Sequence, residues 1–219
     1  MSLILYGHPF SSYCQKVLIP LYENGTTFEF RCLSPDDPRT AEEHARLWPL
    51  KRMPVLVDGA RTVVESSIIV EYLDLHVGGP VRFLPTDPEA ALEVRALDRF
   101  FDQYVMTPMQ KFVFDALRAP GSRDPQGVDE ARALLDVAYR WLENELRGRE
   151  WAAPGGFGLA DCAAAPALFY SDWVHPIPPN CPELRAYRRR LLERPSFAQA
   201  VDEARPFRAF FPLGAPDRD

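Results

Sequence analysis

The spacing of apolar positions changes character once along the chain. Leu3 to Tyr6 is a short apolar run closed by Gly7-His8-Pro9, and Tyr13 to Ile19 carries helical spacing up to the Asn24-Gly25 stop. Thr27 to Cys32 alternates β-branched or aromatic residues with polar ones, and a stretch rich in Asp and Pro leads to a short helix over 41–47. Pro54 to Val57 and Arg61 to Val64 flank Asp58-Gly59, a tight-hairpin signal, and Ser66 is placed to cap a helix running to about His76. The order is βαβ then ββα, which predicts a parallel pair beside an antiparallel hairpin, covered by helices.

Beyond Gly78-Gly79-Pro80 the strand signal fades. Residues 81–87 read as a linker, and Pro88 opens a region of helical period. Val128, Ala131, Leu135, Ala138 and Leu142 alternate steps of three and four, leaving Asp129, Glu130, Arg132 and Asp136 on the wet side of the wheel. Further helices are expected over 88–117, 159–171, 182–192 and 197–204, with Pro20 kinking or shortening the first helix. The chain thus divides into an α/β domain over 1–80, a linker over 81–87 and an all-helical domain over 88–219.

Composition narrows the function classes. At 219 residues with 47% hydrophobic and 26% charged residues, the chain is long enough for two modest domains with real cores. A formal net charge of −6, with Lys and Arg scattered among acids, offers no footprint for a phosphate backbone, so nucleic acid is not an expected partner. The amino-terminal apolar run is too short for a signal sequence or a membrane span, so no membrane partner is expected. Cys14, Cys32, Cys162 and Cys181 form no close pair, which suits a reducing cytoplasm. His8, His44, His76 and His175 lack ligand spacing, and no metal is expected.

Three motifs carry candidate chemistry. Ser11-Ser12-Tyr13-Cys14-Gln15-Lys16-Val17 brings hydroxyls to a helix start, where free N–H groups and the positive end of the dipole favour an anion. Trp48-Pro49-Leu50-Lys51-Arg52-Met53-Pro54-Val55-Leu56 places a proline at a strand start, followed by Glu65-Ser66 at the next helix start. Gly158-Leu159-Ala160-Asp161 opens a helix with an acid in its first turn. Taken in order, these segments resemble the glutathione transferase family over nearly the whole chain, closest to its bacterial serine-type, zeta- and theta-like classes.

The resemblance implies a thioredoxin-like amino-terminal domain binding glutathione, an all-α carboxy-terminal domain receiving a second substrate, and a homodimer. Ser11 is then the candidate donor to the glutathione sulfur, with Ser12 and Tyr6 as alternatives. A hydrogen bond to the charged thiolate is worth about 1.5–3 kcal/mol, or roughly one to two pKa units. Met53, ahead of a family cis-proline at Pro54, would pair its backbone with the tripeptide. Glu65 and Ser66 would read the γ-glutamyl ammonium and carboxylate. Arg52 either meets the glycyl carboxylate or is solvated. Phe10, Tyr104, Met109 and Phe112 are candidates for a second-substrate pocket between the domains.

With no cysteine at the Ser11 position, conjugation of glutathione to an electrophilic small molecule, in detoxification, is favoured over thiol exchange. A glutathione-dependent isomerase resembling maleylacetoacetate isomerase and a non-catalytic carrier or interaction module are the alternatives. Cys14 is read as a small buried hydrophobe. Gly158 replaces the Ser or Thr usual in the family's helix-start motif, leaving backbone or Asp161 contacts to cap that helix.

Overall fold

The computed structural model describes residues 3–219. Strand β1 (Leu3–Gly7) leads into helix α1 (Ser12–Glu23), β2 (Phe28–Cys32), α2 (Pro38–Leu47), β3 (Val55–Asp58), β4 (Arg61–Val64) and α3 (Ser66–Tyr72), which continues as a π turn over Leu73–Val77. The sheet order is β2-β1-β3-β4, with β1 parallel to β2 and antiparallel to β3, and the β3-β4 hairpin turns at Asp58 and Arg61. Both the parallel pair and the hairpin match the expected order, and the architecture is thioredoxin-like.

The remainder is helical: α4 (Pro88–Phe100), a π segment over Phe101–Met106, α5 (Thr107–Ala116), α6 (Pro125–Glu145), α7 (Leu159–Val174), α8 (Pro182–Glu193) and α9 (Pro195–Ala204), then a 3-10 turn over Arg205–Phe210. Five of these helices and α2 have proline in the first turn, where its missing N–H costs nothing. At three starts an aspartate precedes the proline and its carboxylate accepts the N–H three residues on: Asp37 from Thr40, Asp87 from Ala90 and Asp124 from Gly127. Pro20 does not end α1, which runs on to Glu23.

The segment over 81–87 has no regular structure, but it is pinned rather than loose. Phe83 and Leu84 are buried, the Phe83 N–H donates to Asp74 at 2.9 Å, and the Phe83 carbonyl accepts from Leu159 N–H at 2.9 Å. That last bond explains Gly158, because a Cβ there would lie 2.9 Å from the Phe83 oxygen. The missing hydroxyl cap is replaced by Asp161, which accepts from the N–H groups of Gly158 and Ala152, both at 2.9 Å, and from Tyr187 Oη at 2.6 Å. Burial raises the Asp161 carboxyl to about 6 against these lowering hydrogen bonds.

Helix α1 joins the two halves, packing on α3 on one side and on α7 and α9 on the other. In its middle, Lys16 is 1% exposed; its ammonium lies 2.6 Å from Asp98 and 2.8 Å from Asp102, and donates to Ser67 Oγ at 2.8 Å. A buried ammonium requires such partners, and they come from α3, α4 and the π segment.

Candidate active site

A cavity of about 490 Å³ opens where α1 begins, between the segment leading into β3, the start of α3 and the helical half. Ser11, Arg52, Met53, Pro54, Glu65 and Ser66 all line it. The folding pattern brings them together for local reasons. Ser11 is the N-cap of α1, with φ −85° and ψ 122°, and its Oγ accepts from Cys14 N–H at 3.4 Å. The Met53–Pro54 bond is cis, as the resemblance implied. Sheet pairing stops at Val55, so Met53 lies beyond the ladder on the cavity wall, and neither its N–H nor its C=O is bonded to the backbone among the described residues.

Glu65 takes φ 68°, a region costly for a residue with a side chain, and it stands at the N-cap position of α3 without capping it. Glu65 and Ser66 both line the cavity, and Ser66 opens the helix. The opposite wall holds Arg99, Asp102, Gln103, Thr107 and Gln110. Arg99 bridges Asp98 at 2.7 Å and Asp102 at 2.8 Å and also donates to Ser67, so the wall is tied to the Lys16 cluster. Burial holds the Asp102 carboxyl above its ordinary value despite the two cations beside it.

Tyr6 is elsewhere. Its hydroxyl donates to Glu43 at 3.1 Å and accepts from Arg31 at 2.7 Å, it lines neither this cavity nor the next, and burial raises its pKa. Its proton is engaged, which leaves it poorly placed as a thiol donor. Cys14 is fully buried, its Sγ accepts from His8 N–H at 3.5 Å, and burial pushes the thiol up to about 11, so it stays a neutral packing group. A Cβ on Gly7 would sit 2.6 Å from that sulfur, which fixes glycine where β1 ends.

A second, smaller cavity of about 220 Å³ adjoins the first; Ser11, Gln110 and Phe114 line both. Phe10, Ser12 and Met109 also line it, with Tyr170 behind and Phe210, Phe211 and Pro212 of the carboxy-terminal strap across it. Phe211 meets Trp173 edge-on at 5.2 Å and Phe10 at 6.4 Å, and Tyr170 Oη donates to the Phe10 carbonyl at 3.2 Å. The strap is closed by ion pairs from Arg205 and Arg208 to Asp219 and from Arg218 to Asp172. His8 connects strap and loop: its Nδ1 accepts from Phe10 N–H at 3.1 Å, and its ring stands edge-on to Phe207 at 4.6 Å.

Two pocket candidates are corrected. Tyr104 is exposed on the outer face, 5.2 Å from the Phe100 ring, and Phe112 is buried in the helical core under the Arg132 guanidinium at 5.2 Å. The stretch expected as one helix over 88–117 is interrupted by the π segment over Phe101–Met106, which contains Tyr104 and turns the helix that carries Phe112. Gln103, Thr107, Gln110 and Phe114, spaced four, three and four, face the site instead. The polar members at that spacing, Gln103, Thr107 and Gln110, were a signal available in the sequence; Arg99 and Asp102 had none beyond their charge.

A model of the glutathione S-transferase amino-terminal domain matches residues 5–80, and one of its carboxy-terminal domain matches residues 96–195. The chain belongs to the glutathione S-transferase family. Within it, the chain is 29% identical over 213 residues to a probable maleylacetoacetate isomerase of Vibrio cholerae, covering 94% of this chain and 98% of that one. It is 26% identical over 204 residues to a stringent starvation protein A homolog of Coxiella burnetii, covering 92% of each. A crystal structure of a Methylobacterium radiotolerans glutathione S-transferase in complex with glutathione sulfonate superposes with a TM-score of 0.77 at 29% identity, covering 92% of this chain and 95% of that one. Among the described residues no group of three or more potential ligands could hold a metal, and no helix is long and apolar enough to cross a membrane.

Proposed function

We propose that this transferase binds glutathione as its thiolate in the larger cavity and conjugates it to an electrophilic small molecule held in the smaller one. The observation that carries the reading is the convergence of Ser11, Met53 and the Glu65-Ser66 pair on one cavity. Ser11 donates its hydroxyl proton to the sulfur at the positive end of α1, and the thiolate rather than the thiol attacks. The Met53 backbone pairs with the cysteinyl unit, Glu65 takes the γ-glutamyl ammonium, Ser66 takes its carboxylate, and Arg52 with Lys51 meets the glycyl carboxylate.

The test is the ultraviolet difference absorption of bound glutathione against pH, for the wild type and Ser11→Ala. A thiolate formed below the free thiol's pKa, and shifted upward in the variant, supports the assignment. Binding without a thiolate sinks it and leaves a carrier.

The Vibrio relative favours a second reading, glutathione-dependent isomerisation, which would use the same thiolate and return glutathione unchanged; the stoichiometry of glutathione consumption separates the two. A cytoplasmic setting belongs to the same proposal, since all four cysteines are free thiols. So does a homodimer: Tyr104, Leu134, Val137 and Trp141 are exposed, and Trp141 stacks on Phe100 at 4.2 Å, giving a broad apolar face across the end of α4 and α6. Trp141→Glu is expected to give a monomer by sedimentation.

A further inference from the structure

We infer, on the reading that the thiolate forms at Ser11, that Tyr170 and Gln15 are positioning residues of the thiol site: they hold the peptide ahead of Ser11, so that the helical half sets where its hydroxyl stands. The loop over 8–10 lies between β1 and α1, and each of its backbone groups is engaged. His8 N–H donates to Cys14 Sγ at 3.5 Å, and the His8 carbonyl accepts from Ser11 N–H at 3.0 Å. The Pro9 carbonyl accepts from Gln15 Nε2 at 3.1 Å, Phe10 N–H donates to His8 Nδ1 at 3.1 Å, and the Phe10 carbonyl accepts from Tyr170 Oη at 3.2 Å. Of these bonds only the last leaves the sheet half, reaching in from α7.

The peptide between Phe10 and Ser11 is planar, and it is gripped at both ends: its oxygen by Tyr170 and its N–H by the His8 carbonyl. Fixing that plane fixes the Ser11 Cα, and with it the place from which Oγ caps α1 on the wall of the larger cavity. Tyr170 also borders the smaller cavity beside Phe10 and Ser11, and its ring stands edge-on to Phe10 at 5.5 Å. One phenol thus walls the smaller cavity with its ring and steadies the thiol loop with its hydroxyl.

Packing alone does not account for these two side chains. Gln15 is 0% exposed and Tyr170 3%, in places where an apolar residue would bring no polar group to desolvate. Gln15 Oε1 finds no partner among the described residues, so the carboxamide is buried only half satisfied. What it supplies there is its two N–H groups, one spent on the Pro9 carbonyl and one on Tyr170 Oη, both at 3.1 Å. Burial raises the pKa of Tyr170, so its hydroxyl keeps the proton that it gives to Phe10. Gln15, Tyr170 and the two loop carbonyls therefore form one chain of hydrogen bonds between α1, α7 and the residue before Ser11.

The experiment reads the ultraviolet difference band of bound glutathione against pH, and turnover of benzyl chloride, in the wild type, Tyr170→Phe, Gln15→Met, Ser11→Ala and the double variant Ser11→Ala/Tyr170→Phe. Tyr139→Phe is the matched control: it removes another buried phenol whose hydroxyl donates to a backbone carbonyl, that of His175 at 3.0 Å, but which lines neither cavity. Expected in Tyr170→Phe are a bound-thiol pKa raised by about 0.5–1 unit and a kcat at pH 6.5 lowered about three- to tenfold, with KM for glutathione within about twofold. The loss in kcat should narrow as pH rises above the bound pKa, and Gln15→Met should move that pKa the same way. Tyr139→Phe should lower the urea midpoint as much as Tyr170→Phe does and leave the pKa in place. Because Tyr170 acts through Ser11, its removal should add nothing to the pKa once Ser11 is alanine. A pKa unmoved in Tyr170→Phe or Gln15→Met, an equal shift in Tyr139→Phe, or a Tyr170→Phe shift that persists in full without the Ser11 hydroxyl would overturn the inference while leaving the thiolate reading intact. No shift in Ser11→Ala, or no thiolate band in the wild type, would overturn both.

Discussion

The Ser11 hydroxyl oxygen stands 3.4 Å from the Cys14 amide nitrogen, at the long limit of a hydrogen bond, so it caps α1 while its own proton remains free to point into the cavity. On the proposed reading, cap and donor are one hydroxyl with two uses. Ser11→Ala should raise the pKa of bound glutathione by roughly one to two units and lower kcat at pH 6.5 by about 10- to 100-fold, with about 1 kcal/mol lost from folding stability. Ser11→Thr should keep most of both. Tyr6→Phe should leave the thiolate titration unmoved, because that hydroxyl is occupied by Arg31 and Glu43.

Lys16 anchors the opposite wall from below. Lys16→Met would leave Asp98 and Asp102 buried side by side beside Arg99 alone, and should destabilise the fold by about 3–5 kcal/mol in urea denaturation. Adding Asp98→Asn should recover part of that loss, since the remaining charge is then matched. A Lys16→Met protein as stable as the wild type would show that the cluster is not held as described.

Asp161, buried, and His8, half-buried, give stability opposite dependences on pH. Burial raises Asp161 to about 6, above an ordinary carboxyl, so its contribution is fully present below about pH 4 and is lost as pH rises through 6. Asp161→Asn should remove that slope, at a cost from the mismatched donors of Ala152, Gly158 and Tyr187. His8 is lowered by burial, so its contribution is present above about pH 6.5 and is lost as pH falls through the lowered value. Protonation there also takes the Nδ1 acceptor from Phe10 N–H. Urea midpoints between pH 4 and 8 for the wild type, Asp161→Asn and His8→Leu check both signs.

Phe211 holds the strap against Trp173 and Phe10. Phe211→Ala should cost about 3–5 kcal/mol of stability and raise KM for an apolar second substrate about tenfold, leaving KM for glutathione unchanged. Steady-state kinetics with each substrate varied in turn would decide; a rise in both constants would mean that the strap shapes the larger cavity too.

The amino-terminal half was legible because each of its elements has a local cause: the Asn24-Gly25 stop, the Asp58-Gly59 hairpin and the serines before α1 act within a few residues of themselves. The helical half was legible in outline but not in phase. The stretch read as one α-helix across 88–117 is broken, and the part beyond the break is turned about its axis. The π segment at Phe101–Met106 is sustained by tertiary partners, with Asp102 drawn to Lys16 from another helix, and with one exception no local pattern announces it. Pro108 was the one local warning, since its ring has no N–H for the Tyr104 carbonyl. The aromatic, non-periodic run over 205–212 pointed either across the cleft or against the helices, and the choice was hidden because Asp219 finds Arg205 and Arg208 only after the chain has turned back on itself.

Helix α1 begins at the larger cavity and is packed between the sheet half and α7 and α9, with Lys16 reaching across the seam. The two halves are therefore not interchangeable parts. A chimera that joined residues 1–80 to another helical half would strand a buried ammonium unless that half supplied carboxylates at the places of Asp98 and Asp102. Exchange at this point would have to carry Lys16, Asp98 and Asp102 together, so that the seam constrains which helical half can be joined to this sheet half.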